Sequence, residues 1–320
     1  MNRPTPPQGT GFPGDGAVGL ALGTFEFGSA LSARRVFELL DTFHDLGGRV
    51  LDTAPTYGPT ASGPRAEQLI GRWLATTGAR MYTVTKAGLD PARPGQADLR
   101  PEHLIRSAEQ STERLGAPPA ALVLHRDDPA VPVGEVADAL QHLIETGTTV
   151  RVGASNWTTA RLHAWCAYAA GAGRTGPRIT QPLWSLARRT TRCPEPWLTE
   201  ADPEHLAFAL QYGLVVMPYR TLAAGYLADR HSGRHHAHHT TTYDTLGNAG
   251  RRIRLRAAAR RLGVSGTALA LAYLRSATRA HVVPVIGPTS IRQLTSVMTD
   301  TGRAGRLSPD LCAHLAGNEA

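Results

Sequence analysis

Cysteine is scarce in this sequence of 320 residues. Its three cysteines, Cys166, Cys193 and Cys312, lie far apart, and no C-x-x-C pair occurs. An odd number of widely spaced cysteines excludes a disulfide scaffold and a zinc ribbon, and it is typical of a reducing compartment. No apolar run reaches the roughly 18 residues that a bilayer-spanning helix needs. We therefore expect a cytoplasmic protein that does not associate with membranes.

Motifs for nucleic-acid binding are also missing, although the formal net charge is +8. The basic residues are scattered, with short clusters only at Arg188–Arg189 and Arg251–Arg256. No helix-turn-helix or zinc-finger spacing occurs, so we expect no nucleic-acid partner. The excess charge indicates a solvated basic surface or, alternatively, an anionic cofactor or substrate. Nothing in the sequence indicates the oligomeric state.

The N-terminus lacks the apolar segment of a secretory signal, because proline and glycine dominate its first 16 residues. We interpret residues 1–16 as a flexible tail and residues 17–320 as one domain. Within that domain, short apolar runs alternate with amphipathic stretches. The predicted strands are 18–24, 49–53, 81–86, 121–125, 150–154, 178–181, 213–219 and 282–286.

A predicted helix follows each strand, and two predicted helices lie between the seventh and the eighth strand. Eight such repeats favour an α/β fold of the (β/α)8 TIM-barrel type over an open doubly wound sheet. The turn after the first strand lacks the G-x-G-x-x-G spacing that an open dinucleotide-binding sheet would carry. In a barrel, chemistry takes place at the carboxyl ends of the strands. Polar side chains gather there: Asp52, Tyr57, Lys86, His125, Asn156 and Gln181.

These side chains suit proton transfer to a carbonyl oxygen. A tyrosine with an ordinary pKa near about 10 is a poor proton donor at neutral pH, and an adjacent lysine cation lowers that pKa. An aspartate beside the lysine keeps it charged, and a neutral histidine polarises a carbonyl group. Each residue alone has a purely structural explanation, but three consecutive strand ends with Asp, Lys and His favour catalysis. No metal is required.

The sequence resembles the aldo-keto reductase family, and among its members the longer bacterial enzymes. The resemblance covers about residues 17–315 and is carried by segments in the family's order: LDTAPTYG at 51–58, TVTKAG at 83–88, LHRDD at 124–128, GASNW at 153–157, ITQPLWSL at 179–186 and VIGPTSIRQL at 285–294. It implies a catalytic tetrad of Asp52, Tyr57, Lys86 and His125, with Tyr57 as the proton donor.

The resemblance also implies a nicotinamide cofactor. Ser155, Asn156 and Gln181 would bind its carboxamide, and Tyr219 would stack on its ring. Further cofactor contacts are expected at Arg220, Leu222, Gly287, Ser290, Arg292 and Gln293. Two departures from the family concern this site: Arg220 replaces a small residue, and Pro288-Thr289 stands where a basic residue commonly binds the 2′-phosphate. We predict NADPH, with NADH as the alternative.

Strand-end positions further predict a partly aromatic substrate pocket lined by Phe25, Trp157 and Trp184. After the seventh strand, a loop carries five histidines between His231 and His239. The spacing of these histidines could indicate a metal site, but we interpret the segment as a polar loop that covers the cofactor.

The predicted function is NADPH-dependent reduction of a small aldehyde or ketone. Two alternatives stay open: a barrel aldolase that uses Lys86 as a Schiff base, and a non-catalytic nicotinamide-binding regulatory subunit.

Overall fold

The computed structural model describes residues 19–58, 65–89, 95–190, 195–229 and 242–317. Its strands form one curled parallel sheet, with the helices packed around the outside. The strands in chain order are β1 Ala21–Gly23, β2 Val50–Asp52, β3 Tyr82–Ala87, β4 Ala121–Leu124, β5 Val152–Ser155, β6 Ile179–Gln181, β7 Val215–Val216, β8 His281–Val282 and β9 Val285–Ile286. The predicted tail, residues 1–16, and the histidine-rich loop, 231–239, lie outside the described residues.

The sheet closes on itself through the last strand segment. β8 pairs with β7 and β9 pairs with β1, so the hydrogen-bonded order runs β8-β7-β6-β5-β4-β3-β2-β1-β9. The backbone N–H of Val283 donates to Val216 and that of Ala21 donates to Pro284, which joins the two halves around the break. The predicted (β/α)8 barrel is therefore confirmed. The single strand expected at 282–286 is instead two short strands, because Pro284 has no N–H to donate.

Helices alternate with the strands. They are α1 Ala33–Asp45, α2 Ala66–Thr77, α3 Pro101–Leu115, α4 Val133–Glu145, α5 Thr159–Ala172, α6 Pro203–Tyr212, α7 Leu246–Leu262, α8 Gly266–Ser276, α9 Ile291–Ala304 and α10 Pro309–Ala316. Helix α3 illustrates the local logic: Pro101 occupies its first turn, and Gly116 ends it with a left-handed φ of 77°. The sequence pattern predicts no helix at α10, and it predicts that α7 begins at Arg251, five residues after its observed start at Leu246.

The interior of the barrel is filled by small and β-branched side chains from alternate strand positions. Ten residues, all of them small or β-branched except Met217, form one cluster inside the sheet: Ala21, Val50, Val84, Ala121, Val123, Ile179, Val215, Met217, Val283 and Val285. Larger clusters of leucine, tryptophan and phenylalanine fill the space between the sheet and the helices. Because side chains alternate along a strand, residues two positions beyond these interior residues also point into the barrel.

Candidate active site

The polar residues of the site continue the inward-facing positions of neighbouring strands. On β2, Asp52 lies two residues after interior Val50, and on β3, Lys86 lies two residues after interior Val84. On the other strands, His125 follows Val123, and Gln181 follows Ile179 in the same way. The parallel strands therefore deliver these side chains to one place, the carboxyl end of the barrel interior.

Lys86 and Asp52 form a buried ion pair at the centre of this end. The Lys86 Nζ lies 2.8 Å from Asp52 Oδ1 and donates to the Thr53 carbonyl at 2.9 Å. Their side chains are only 3% and 5% exposed. Burial alone would lower the pKa of Lys86, but the charge of Asp52, and after it Tyr57, raises that pKa above its ordinary value. Lys86 is thus a charged ammonium group.

Tyr57 lies in the loop after β2, against this ammonium group. The Lys86 Nζ is 4.9 Å from the centroid of the Tyr57 ring. Burial raises the pKa of Tyr57, while the charge and hydrogen bonding of Lys86 act in the opposite direction. The effect of lysine has the expected sign, but burial outweighs it, so the phenol stays protonated well beyond neutral pH.

His125 faces the same tyrosine. The two rings are 6.0 Å apart between centroids and nearly perpendicular. Burial lowers the pKa of His125 well below its ordinary value, and the charges of Lys86 and Arg126 lower it further. The imidazole is therefore neutral at pH 7 and can donate a hydrogen bond to a carbonyl oxygen. The structure thus brings all four residues of the predicted tetrad together.

A second group of predicted residues adjoins the tetrad at the end of β5. The Asn156 Nδ2 donates to the His125 carbonyl at 3.2 Å and to Ser155 Oγ at 3.0 Å. Its Oδ1 accepts from the Tyr219 hydroxyl at 2.6 Å. Asn156 has a left-handed φ of 61°, a conformation that costs energy in a non-glycine residue and commonly marks a functional site. Thr199, which no sequence signal identified, donates its hydroxyl to the Asn156 carbonyl at 2.8 Å.

Gln181 links the two groups and fits a carboxamide ligand. Its Nε2 donates to Asp52 Oδ1 at 2.7 Å, and its backbone carbonyl accepts from Ser155 Oγ at 2.8 Å. Its Oε1 is buried and has no hydrogen-bond partner among the described residues. A buried acceptor without a donor is costly. The N–H₂ of a nicotinamide carboxamide would supply that donor, so the residues present fit this cofactor.

Arg220 forms an ion pair with a residue of a neighbouring loop. Its guanidinium forms two hydrogen bonds with the Glu195 carboxylate, at 2.6 and 2.9 Å. It begins a turn in which Ala223 and Ala224 also have left-handed φ angles near those of Arg220. Leu222 lies half-buried in this turn. Arg220 therefore ties the loop after β7 to the loop after β6, and a contact of either residue with a cofactor stays a prediction.

The other predicted cofactor residues surround the N-terminus of α9. Ser290 caps this helix by accepting from the Gln293 N–H at 3.3 Å, and Gln293 Oε1 accepts from the Thr289 N–H at 2.8 Å. Gly287 is exposed, and an added Cβ there would meet no atom within 4 Å. Arg292 is exposed in the first turn and forms no ion pair with any described residue. Its guanidinium is available to an anion.

The three aromatic residues predicted to line the substrate pocket differ in accessibility. Phe25 is 65% exposed, and its ring lies 5.3 Å from that of Tyr57. Trp184 is 7% exposed, and Trp157 is 1% exposed and packs against Trp165 at 5.6 Å. Phe25 is thus the one of the three that presents a large surface beside the tetrad.

Two absences hold for the part of the chain that the structure describes. It contains no group of three or more His, Cys, Asp or Glu side chains placed to hold a metal ion. None of its helices combines the length and apolarity that crossing a bilayer requires.

A curled parallel barrel that brings Asp52, Tyr57, Lys86 and His125 together at its carboxyl end defines a (β/α)8 protein whose site is suited to acid–base chemistry. The sequence model of the aldo/keto reductase family matches residues 19–301. This chain belongs to that family.

Curated relatives extend over most of the chain. Norsolorinic acid reductase stcV of Emericella nidulans is 27% identical over 88% of this chain and 74% of its own length. Aldo-keto reductase ausK of the same organism is 27% identical over 86% and 72%. A probable voltage-gated potassium channel subunit beta of Oryza sativa subsp. japonica is 26% identical over 89% and 87%. Family membership and the reductase names support oxidoreductase activity, and this family generally uses nicotinamide cofactors.

Proposed function

We propose that this protein reduces an aldehyde or ketone to an alcohol with NADPH, and that Tyr57 supplies the proton. The observation that carries the proposal is the buried Lys86, which is held between the Asp52 carboxylate and the Tyr57 ring. A buried cation in this position would stabilise the phenolate that forms if the neighbouring phenol gives up its proton during the reaction.

The side chains divide the proton chemistry between them. Neutral His125 donates a hydrogen bond to the carbonyl oxygen and orients it. The Tyr57 hydroxyl then gives its proton to that oxygen, and the charge of Lys86 stabilises the phenolate left behind. Asp52 keeps Lys86 charged and fixed in place. Ser155, Asn156 and Gln181 would hold the nicotinamide carboxamide, and the cofactor, when bound, supplies the hydride.

Lys86 is poorly suited to the aldolase alternative. A Schiff base forms only from an unprotonated amine. The Asp52 carboxylate holds the pKa of Lys86 above its ordinary value, despite burial. This lysine therefore supports electrostatic stabilisation rather than covalent catalysis.

The second candidate is a nicotinamide-binding regulatory subunit, and the relative named as a potassium channel subunit beta favours it. A steady-state assay of a carbonyl panel with NADPH and with NADH separates the two functions. We expect turnover of at least one aldehyde, with a rate proportional to enzyme concentration. Stoichiometric cofactor binding without turnover of any carbonyl compound would favour the regulatory subunit.

A further inference from the structure

One arginine beside the proposed site forms no ion pair with a carboxylate of the described residues. Arg126 follows His125 directly at the carboxyl end of β4, and it forms no ion pair with any described residue. Its Nη1 donates to the Gly95 carbonyl at 2.7 Å. Its Nε is buried and has no hydrogen-bond partner in that part of the chain. Among the described residues, the Nε and Nη2 edge of the guanidinium therefore has no acceptor, and this edge of an arginine can bind a carboxylate with two hydrogen bonds.

Packing holds this guanidinium in a fixed orientation. Its Cζ lies 3.6 Å from the centroid of the Trp197 ring. Gly95 belongs to the loop after β3, and Trp197 belongs to the loop after β6. Arg126 is thus clamped between two loops at the catalytic end of the barrel. A stacked and hydrogen-bonded arginine loses little further freedom when it binds an anion.

The carboxylate that acts on the charge of Arg126 is already paired with another arginine. Glu195 acts on the charge of Arg126, but both of its oxygens accept hydrogen bonds from Arg220. These three side chains together carry a net positive charge. Burial lowers the pKa of Arg126, and its charge contributes to the low pKa of His125. The charge of Arg126 therefore reaches the place where a carbonyl substrate would bind.

We propose that Arg126 is a specificity-determining residue that binds the carboxylate of an anionic carbonyl substrate. The substrate class is an oxo acid or a formyl-bearing carboxylic acid, whose carbonyl would lie at Tyr57 and His125. This inference rests on the proposed reductase function. Phe25, whose ring lies 5.3 Å from that of Tyr57, would supply an apolar surface for the rest of such a substrate.

Matched substrates test the proposal. The 2-, 3- and 4-carboxybenzaldehydes and their methyl esters are reduced by the wild type, Arg126→Gln and Arg106→Gln, with NADPH. The measured quantity is the ratio of kcat/KM for each acid to that for its ester, in which effects on the chemical step cancel. Arg106 is exposed on α3 and makes no contact with the site, so Arg106→Gln controls for net charge.

We expect Arg126→Gln to lower the ratio for at least one isomer by about 10- to 150-fold, mainly through KM, since one charge-assisted contact is lost. Arg126→Lys should retain part of the preference, and Arg106→Gln should retain all of it. Equal ratios in the wild type and Arg126→Gln for all three isomers would overturn the proposal.

A binding measurement separates this proposal from the reductase function. If neither acids nor esters are reduced, the reductase proposal fails, and calorimetry with benzoate in the presence of NADP⁺ still tests Arg126. We expect benzoate to bind the wild type at least about tenfold more tightly than Arg126→Gln. No binding to the wild type, or equal affinities, would contradict the role of Arg126 whatever the activity.

Discussion

At the scale of residues, the functional side chains face the barrel interior because they lie two positions after interior residues of the same strands. Val50, Val84 and Val123 fill the barrel interior, and the period of two then turns Asp52, Lys86 and His125 inward as well. Thr85, between Val84 and Lys86, points outward and donates its hydroxyl to Glu67. One residue of register shift would therefore remove Lys86 from the site.

The Asp52–Lys86 pair gives a prediction that separates stability from activity. Lys86→Met leaves a buried carboxylate without its counter-ion, so we expect the free energy of unfolding to fall by about 3–5 kcal/mol. Adding Asp52→Asn removes that carboxylate and should restore most of the stability, because a buried ion pair contributes little beyond a neutral pair. Urea denaturation and turnover are measured on the same preparations. Recovery of activity in the double variant would contradict the role of Lys86.

The directions of two pKa shifts predict the pH profile of reduction. Tyr57 must be protonated to act, and its pKa lies above its ordinary value. The rate should therefore fall only as pH rises beyond roughly 10. Because the pKa of His125 is far below its ordinary value, no transition is expected between about pH 6 and 8. A transition in kcat/KM near neutral pH that disappears in His125→Gln would show that the histidine titrates there.

Strand ends were enough to predict that Asp52, Tyr57, Lys86 and His125 lie together, because parallel strands deliver their last side chains to one rim. Their assignment as a tetrad came from the family resemblance and stays a prediction. The Arg220–Glu195 pair and the contact of Thr199 with Asn156 were not predictable. Each joins loops that are distant in sequence and carry no periodic pattern. The unpartnered Oε1 of Gln181 was not predictable either, because its orientation follows from the hydrogen bond of Nε2 to Asp52, which no sequence motif encodes.

At the scale of elements, one buried carboxylate connects two helices to a strand. Glu67 of α2 is fully buried, accepts from Thr85 of β3, and pairs with Arg114 of α3 at 2.6 Å. Arg114→Met leaves this buried carboxylate without its counter-ion, so we expect the free energy of unfolding to fall by about 3–5 kcal/mol. Arg106→Met on the same helix is the matched control, expected within about 0.5 kcal/mol of the wild type. Equal effects of the two substitutions in urea denaturation would contradict this account.

The N-terminus of α9 carries the prediction on cofactor choice. Ser290 caps this helix, and unpaired Arg292 lies in its first turn, so the 2′-phosphate of NADPH would meet a helix dipole and a cation. We expect Arg292→Gln to raise the Kd of NADPH by about tenfold, with a much smaller effect on NADH. Arg303→Gln, at the other end of the helix, is the control. Equal wild-type Kd values for NADPH and NADH would show that no phosphate contact exists.

Strand ends were harder to predict than strand order. The apolar run 213–219 predicts one long strand, but ladder pairing is limited to Val215–Val216. Beyond them, Pro218 has no N–H to donate to a ladder, and the chain bends at Arg220, whose left-handed φ of 50° a parallel ladder does not accommodate. Helix bounds agree more closely where Pro and Gly define them, as at Pro101 and Gly116.

For the whole molecule, the repeat of strand and helix was sufficient to predict a closed barrel. Closure depends on the strands around Pro284, which pair with β7 on one side and β1 on the other. That closure brings the loops after β1, β2, β3, β4 and β6 to the same end of the barrel, where the tetrad, Arg126 and Phe25 lie. The barrel therefore accounts for how Asp52 and Gln181, which lie 129 positions apart in the chain, come into contact.

The measurement that tests the central claim most directly is the single-turnover reduction of an aldehyde by Tyr57→Phe preloaded with NADPH. Removal of the general acid should lower the rate of the chemical step by about 10²- to 10⁴-fold. The Kd of NADPH should stay as in the wild type, because the phenol oxygen is assigned to the proton and not to the cofactor. A Tyr57→Phe variant that keeps more than about half of the wild-type single-turnover rate would contradict the assignment of Tyr57 as the proton donor.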